Sequence, residues 1–198
     1  MAASKQIIDG DTTITLALTA TQRFSNPPLT NDGLGTFFAT PGSNFGGNGE
    51  SGTEGALWNF NFYIEVEGAN GTTPALTDYD FTLFYDFDAG FDTGFGDLGT
   101  IDLTASLNGA TFPNPNPQMV LEGSQNLLFG FLASPIPGVL DPPAGSFDAN
   151  ATGEYTFAIG VTDGFFPLES VAIDVSVVPE PATALLAGLG VLAVRRRR

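Results

Sequence analysis

The sequence predicts an all-β protein: an antiparallel, jelly-roll-like β-sandwich followed by a short C-terminal hydrophobic helix. Apolar and polar residues alternate with a period of two over several segments, the pattern of half-buried strands. Clusters of Gly, Asn, Asp and Pro separate these segments, as short strands joined by turns require. No segment before residue 179 has a helical period. We therefore assign residues 1–178 to one acidic sandwich domain and residues 179–198 to a separate C-terminal segment.

The most regular alternation lies in residues 58–67. Its apolar face comprises Trp58, Phe60, Phe62, Ile64 and Val66, and its polar face comprises Asn59, Asn61, Tyr63, Glu65 and Glu67. The same pattern predicts strands at residues 13–19, 80–87, 101–107, 155–161 and 171–177, and a continuous apolar run predicts a buried strand at 127–132. Residues 33–55 are rich in Gly, Ser, Asn and Thr, which favours a long mobile or ligand-facing loop.

The composition excludes several classes of function. The chain has 22 acidic residues and six cations, but four of the cations are the last four residues. Residues 1–178 therefore carry only Lys5 and Arg23 against 21 acidic residues, a net charge of −19. Such a surface repels nucleic acid and favours multivalent cations. The absence of Cys and His excludes disulfides, thiolate or imidazole zinc sites and nucleophiles activated by His.

Two acidic strings are candidate calcium sites. The first provides Asp86, Asp88, Asp92 and Asp97 in a Gly-containing loop, where alternate Asp residues can direct oxygens toward a hard cation. The second provides Asp148, Asn150, Thr152 and Glu154. It matches the first half of an EF-hand loop, but Ile159 occupies the position of the last ligand and no helix flanks it, so only a looser site is predicted. The alternative is that these Asp and Asn side chains stabilise tight turns.

We expect a protein that is not an enzyme. Without His or Cys, the simplest catalytic option is a carboxylate pair, as in glycoside hydrolysis. Glu65 and Glu67 would share one strand face, but two Glu on an exposed strand face are typical of a solvated surface. A calcium-dependent carbohydrate-binding or adhesive module is the alternative function. Candidate sugar platforms are Tyr63, Phe84, Phe91 and Phe95, whereas Trp58 is expected in the core.

The C-terminal segment has three ordered parts. Val178, Pro179, Glu180 and Pro181 form an extended spacer, because the two prolines lack amide donors and have a fixed φ. An uncharged apolar stretch then starts at Ala182 and ends at Val194. As a helix its thirteen residues would reach about 20 Å, short of the roughly 30 Å hydrocarbon core. The closing cations, Arg195, Arg196, Arg197 and Arg198, predict that this end stays cytoplasmic and the body lies outside.

These three parts resemble the PEP-CTERM sorting signal of bacterial exported proteins. The resemblance covers about the last twenty residues and implies export, transient retention in the inner membrane and processing near the Pro-Glu-Pro motif by an exosortase-type membrane protease. It also implies a destination in the cell envelope or the extracellular matrix, where polysaccharide is a further expected partner. The first ten residues lack the apolar run of a secretory signal, so we expect an export signal encoded upstream of Met1.

Overall fold

The computed structural model describes residues 2–24, 27–46, 52–91, 93–108, 118–164 and 166–179. Most of the elements in these ranges are strands. They are β1 (Ala3–Asp9), β2 (Thr12–Gln22), β3 (Thr30–Asn31), β4 (Thr36–Ala39), β5 (Ser43–Asn44), β6 (Gly55–Ala56), β7 (Trp58–Gly68), β8 (Asp80–Tyr85), β9 (Gly99–Asp102), β10 (Val120–Gln125), β11 (Leu140–Asp141), β12 (Gly153–Asp163) and β13 (Phe166–Val177). A short helix, α1 (Leu103–Asn108), and 3-10 helices at Leu76–Asp78 and Gly130–Ala133 complete the described elements.

The strands form two main sheets. Sheet 1 has the order β1-β2-β7-β10, and sheet 2 has the order β11-β9-β8-β12-β13-β4-β3. The two residues of β5 pair with β6 outside these sheets. Among the described ladders, β4 with β13 is parallel and the others are antiparallel, so sheet 2 is mixed. The predicted antiparallel arrangement is therefore confirmed for most of the body, and jelly-roll connectivity stays a prediction.

The long strands have the predicted alternation. In the centre of sheet 1, Leu16 of β2 lies opposite Ile64 of β7, and both are completely buried. Phe62 lies opposite Gly123 of β10, where a Cβ atom would stand 2.6 Å from the Phe62 ring. The glycine therefore makes room for an aromatic side chain on the inner face of the sheet.

The core lies between the inner faces of the two sheets. Phe60 of β7 stacks on Phe157 of β12 with ring centroids 4.4 Å apart, and Trp58 meets the same ring edge-on at 6.0 Å. These residues are at most 2 % exposed. Because the contacts join a strand of sheet 1 to a strand of sheet 2, the two sheets pack face to face, and the prediction that Trp58 belongs to the core is confirmed.

One predicted strand is partly wrong. The alternation through residues 101–107 continues as strand only to Asp102, and α1 begins at Leu103. The Asp102 carboxylate accepts a 2.7 Å hydrogen bond from the amide of Ala105, which is the geometry of a helix N-cap. Thr104 is buried and bonds to the backbone of Tyr79 and Phe81. Capping by Asp102 therefore overrides the period-two pattern.

Two further predictions need correction. Residues 127–132 are not a strand, because β10 ends at Gln125 and the next residues form a turn and the 3-10 helix. The predicted long loop at 33–55 includes β4, whose Phe37 is 1 % exposed and belongs to the core. β4 is only four residues long, so its apolar residues do not stand out from the surrounding Gly-rich sequence.

Candidate functional sites

The C-terminal segment leaves the body at the end of β13. Val177 is 2 % exposed, whereas Val178 is 41 % exposed and Pro179 is also exposed. The amide of Val178 donates a 2.9 Å hydrogen bond to the carbonyl oxygen of Ala39, beside the ladder with β4. Pro179 has no N–H group to continue this hydrogen bonding. The transition from body to tail therefore falls between Val177 and Pro179.

Of the predicted sorting residues, Val178 and Pro179 lie in the described part of the chain. Glu180, Pro181, the apolar stretch from Ala182 to Val194, and Arg195, Arg196, Arg197 and Arg198 lie outside the described residues. None of the described helices has the length and apolarity needed to cross a bilayer.

The two predicted calcium loops lie side by side. One loop follows β8 and the other precedes β12, and these two strands pair. Beyond that ladder, the amide of Glu154 donates a 3.2 Å hydrogen bond to the carbonyl oxygen of Ala89. At Gly153, with a φ of 151°, a Cβ atom would stand 1.9 Å from the same oxygen. This close backbone contact could not be predicted from the sequence.

Asp86 is the distinctive residue of the first loop. It is 1 % exposed, and its Oδ1 accepts a 2.8 Å hydrogen bond from the amide of Asp88. Its Oδ2 is buried without a hydrogen bond to any described residue. Burial raises the pKa of Asp86, whereas interactions with the Asp88 amide, the Thr93 side chain and the Thr156 backbone oppose that rise. A buried carboxylate oxygen of this kind is stabilised by a proton or by a cation.

Other residues of these loops stabilise turns, as the alternative interpretation predicts. Asp88 accepts a 3.0 Å hydrogen bond from the amide of Gly90, and Asp148 accepts one of 2.9 Å from the amide of Asn150. Asp97 and Thr152 are exposed, and Asp92 lies outside the described residues. The described residues contain no group of three or more acidic side chains placed to hold a metal ion. The turn role is thus confirmed for Asp88 and Asp148, and calcium binding stays a prediction.

The outer face of sheet 1 places acidic groups around Tyr63. Tyr63 pairs across the ladder with Glu122, and Glu65 and Glu67 follow it on the same face of β7. Partial desolvation raises the pKa of Tyr63, and a hydrogen bond with Glu65 and the charges of the nearby glutamates raise it further. The expected sharing of one face by Glu65 and Glu67 is observed, with Tyr63 as their aromatic neighbour.

A depression of about 440 Å³ lies on this outer face. It is lined by β2, β7 and β10 and by the residue that precedes β1, and it combines small, polar and aromatic residues. Its lining includes Ala2, Ala17, Thr19, Asn61, Tyr63, Glu122 and Ser124. The sequence identified Tyr63 as a candidate platform but could not identify the other lining residues, because they come from strands far apart in the chain.

The other candidate platforms lie elsewhere. Phe84 contacts Phe95 edge-on, with ring centroids 5.1 Å apart, and Phe95 is 62 % exposed. Phe91 is 76 % exposed. These aromatics belong to sheet 2 and the loop after β8, so the structure does not bring them together with Tyr63.

Asn126, which the sequence did not identify as important, is linked by hydrogen bonds to the outer face of sheet 1. Asn126 is completely buried, and its amide group bonds to the backbone of Ala56 and Trp58 and to the side chain of Asn59. Asn59 in turn donates a 3.1 Å hydrogen bond to Ser124 Oγ. Asn126 directly follows a polar strand, and nothing in that pattern signals its burial.

The fold and the tail together define a β-rich body with a C-terminal sorting signal. The family model for the PEP-CTERM protein-sorting motif matches residues 177–198. The chain therefore carries a PEP-CTERM sorting signal, and this match supports export and sorting by an exosortase to the envelope or the extracellular space. No curated protein and no solved structure matches the chain.

Proposed function

We propose that this chain is a non-enzymatic protein of the bacterial cell surface or extracellular matrix. Its tail holds it briefly in the inner membrane through a short helix at residues 182–194, with residues 195–198 on the cytoplasmic side. An exosortase-type protease then cuts near Val178, Pro179, Glu180 and Pro181 and releases the body. The single observation that carries this proposal is the sorting-motif match at residues 177–198.

The place where the C-terminal segment leaves β13, at Val178 and Pro179, supports cleavage near the Pro-Glu-Pro motif. A protease needs an accessible, extended substrate segment, and buried or ladder-bonded backbone would resist it. Among the described residues, Val177 is the last buried one, Val178 makes the last hydrogen bond, and Pro179 is exposed. Cleavage beyond Val178 therefore needs no unfolding of the body.

The residue content and the placement of the carboxylates support a non-enzymatic role. With neither His nor Cys in the sequence, a carboxylate pair is the simplest catalytic arrangement left to the chain. Glu65 and Glu67 lie on an open sheet face instead of flanking an enclosed cleft. Most glycoside hydrolases place two carboxyl groups on either side of the scissile bond.

Pulse-chase analysis in a bacterium that has the exosortase tests this proposal. The chain, produced behind an N-terminal export signal, is expected to pass from a membrane fraction to a shorter form in the envelope or medium. Mass spectrometry of the released form is expected to place its C-terminus near Pro179. Deletion of the exosortase gene should retain the longer form in the membrane, whereas uncleaved chain in the cytosol would contradict the proposal.

A calcium-dependent carbohydrate-binding or adhesive function is the second candidate. The depression beside Tyr63 favours carbohydrate, and the buried Oδ2 of Asp86 favours a cation near the first acidic loop. Binding to a glycan array that is lost on removal of calcium would support this function in full. Binding that persists in EDTA would keep the carbohydrate part and remove the role of calcium.

A further inference from the structure

We infer that the depression across sheet 1 binds internal segments of a neutral, linear polysaccharide. This inference rests on the proposed extracellular function, since it names the matrix component that the released body would hold. It is carried by the shape of the depression, by hydrogen bonds that fix its polar groups in advance, and by the sign of its charge.

The register of sheet 1 explains the shape. Ala17 of β2 lies between Ser4 of β1 and Tyr63 of β7, and Tyr63 lies between Ala17 and Glu122 of β10. The small Ala17 side chain therefore lies next to the large Tyr63 side chain, so the surface is low at Ala17 and rises at Tyr63. A sugar ring presents apolar C–H groups on its faces, which such a tyrosine wall can cover.

The adjacent rung supplies polar groups. Thr19 of β2, Asn61 of β7 and Ser124 of β10 follow one another across the sheet. The Asn61 Nδ2 donates a 3.1 Å hydrogen bond to Thr21 Oγ1, which fixes the plane of its amide. Hydroxyl and amide groups of this kind can both donate to and accept from sugar hydroxyls.

The Ser124 side chain is held in place by hydrogen bonds that start at a buried residue. Buried Asn126 donates a 2.7 Å hydrogen bond to Asn59 Oδ1, and Asn59 Nδ2 donates a 3.1 Å hydrogen bond to Ser124 Oγ. Because Ser124 Oγ accepts a hydrogen bond from Asn59, its own hydroxyl proton can point to a ligand in the depression. Groups that are held in place before binding lose less entropy when the ligand binds. The hydrogen bonds from Asn126 to Asn59 and from Asn59 to Ser124 therefore favour a higher affinity.

The charge of the face selects a neutral ligand. Glu122 lines the depression, and Glu65 and Glu67 follow Tyr63 along β7. None of the lining side chains is cationic. An acidic polysaccharide would be repelled by these groups, whereas a carboxylate is a strong acceptor for the hydroxyl groups of a neutral sugar.

The open ends of the depression favour a polymer over a chain end. Ala2 precedes β1 and Ser124 belongs to β10, and these two strands are the edges of sheet 1. Three strand spacings of about 4.8 Å separate the edges, so the depression is about 14 Å wide across the sheet. A polysaccharide can therefore enter at one edge and leave at the other.

Affinity electrophoresis and calorimetry with the full-length chain test the inference. The chain is kept in a detergent without a sugar headgroup, and the probes are dextran, mixed-linkage β-glucan and galactomannan as neutral polymers, with alginate as the acidic polymer. We expect at least one neutral polymer to bind, alginate not to bind, and the affinity to change little with salt. Tyr63→Ala is expected to weaken binding about tenfold or more, and Tyr63→Trp to retain it.

Phe166→Ala is the matched control. Phe166 is 74 % exposed at the start of β13, so its removal should leave both the fold and the binding unchanged. Circular dichroism and the unfolding midpoint verify that Tyr63→Ala is folded. Absence of binding to every neutral polymer, equal binding by Tyr63→Ala, or preferential binding of alginate would each overturn the inference. Such a failure would not affect the pulse-chase test of sorting. That test measures the cell fraction in which the protein is found and the residue at its C-terminus.

Discussion

Val178 donates its amide proton to the carbonyl oxygen of Ala39, and this 2.9 Å hydrogen bond is the last described bond between the body and its sorting tail. It lies beside the parallel ladder of β4 and β13, in which Val177 pairs with Ala39. The strand that ends the body is therefore also the strand that presents the tail.

The first prediction concerns this boundary. Val177→Ala should lower the free energy of unfolding by about 2 kcal/mol, because it removes buried methyl groups from the core. Val178→Ala, at a position that is 41 % exposed, should change it by less than about 0.5 kcal/mol. Urea unfolding of a chain that ends at Pro179 measures both, and equal effects of the two substitutions would contradict this boundary.

The second prediction concerns the contact between the two acidic loops. Gly153→Ala should cost about 2–4 kcal/mol, because its Cβ atom would overlap the carbonyl oxygen of Ala89 at a φ of 151°. Gly160→Ala on the same strand is the control, since its Cβ atom would meet Phe84 at an ordinary 3.5 Å. The thermal unfolding midpoints compare the two, and a Gly153→Ala variant as stable as Gly160→Ala would show that the loops are not packed together.

The third prediction concerns Asn126. Asn126→Ala should lower the free energy of unfolding by about 3 kcal/mol or more, because buried backbone groups of Ala56 and Trp58 would lose their partner. Asn150→Ala removes an exposed turn residue and should cost less than about 1 kcal/mol. Denaturant titration distinguishes them, and similar small losses would rule out a supporting role for Asn126.

The sequence could predict strands that have one buried and one exposed face. β2 and β7 alternate strictly between buried and partly exposed positions along most of their length, which is the physical origin of the period-two pattern. β1 and β10 are edge strands, and Ile7 is the only buried residue in β1. With one buried residue in β1 and only partly buried ones on the inner face of β10, neither strand has a clear apolar period, so both escaped prediction.

The candidate sites also differ in how far the sequence could predict them. The sorting tail could be predicted because its signal is carried by adjacent residues and by composition alone. The depression could not, since Ala17, Tyr63 and Glu122 become neighbours only through the register of three strands. The burial of Asp86 also depends on how the following loop folds, and no local pattern encodes it.

The last prediction concerns Asp86 and pH. Burial raises its pKa in the folded state above the value of about 3.9 expected in an unfolded chain. The folded protein therefore holds this proton more tightly, and the stability that it contributes is present at low pH and lost as pH rises through the folded-state pKa. Asp86→Asn removes the ionisation and keeps an oxygen for the Asp88 amide. In EDTA we expect the variant to be more stable than the natural chain at pH 7, with the gain disappearing toward pH 4.

Thermal unfolding from pH 4 to pH 8 measures this difference, with Asp163→Asn, at an exposed position outside both candidate calcium loops, as the control. Repeating the series in calcium separates the two ways of stabilising the buried oxygen. If a proton alone does so, calcium leaves the gain of Asp86→Asn unchanged, because no ion competes for the site. If calcium binds, the natural chain gains stability at pH 7 and Asp86→Asn does not, since mass action stabilises only the form that binds the ion. A pH profile in EDTA that is identical for the two chains would contradict the raised pKa itself.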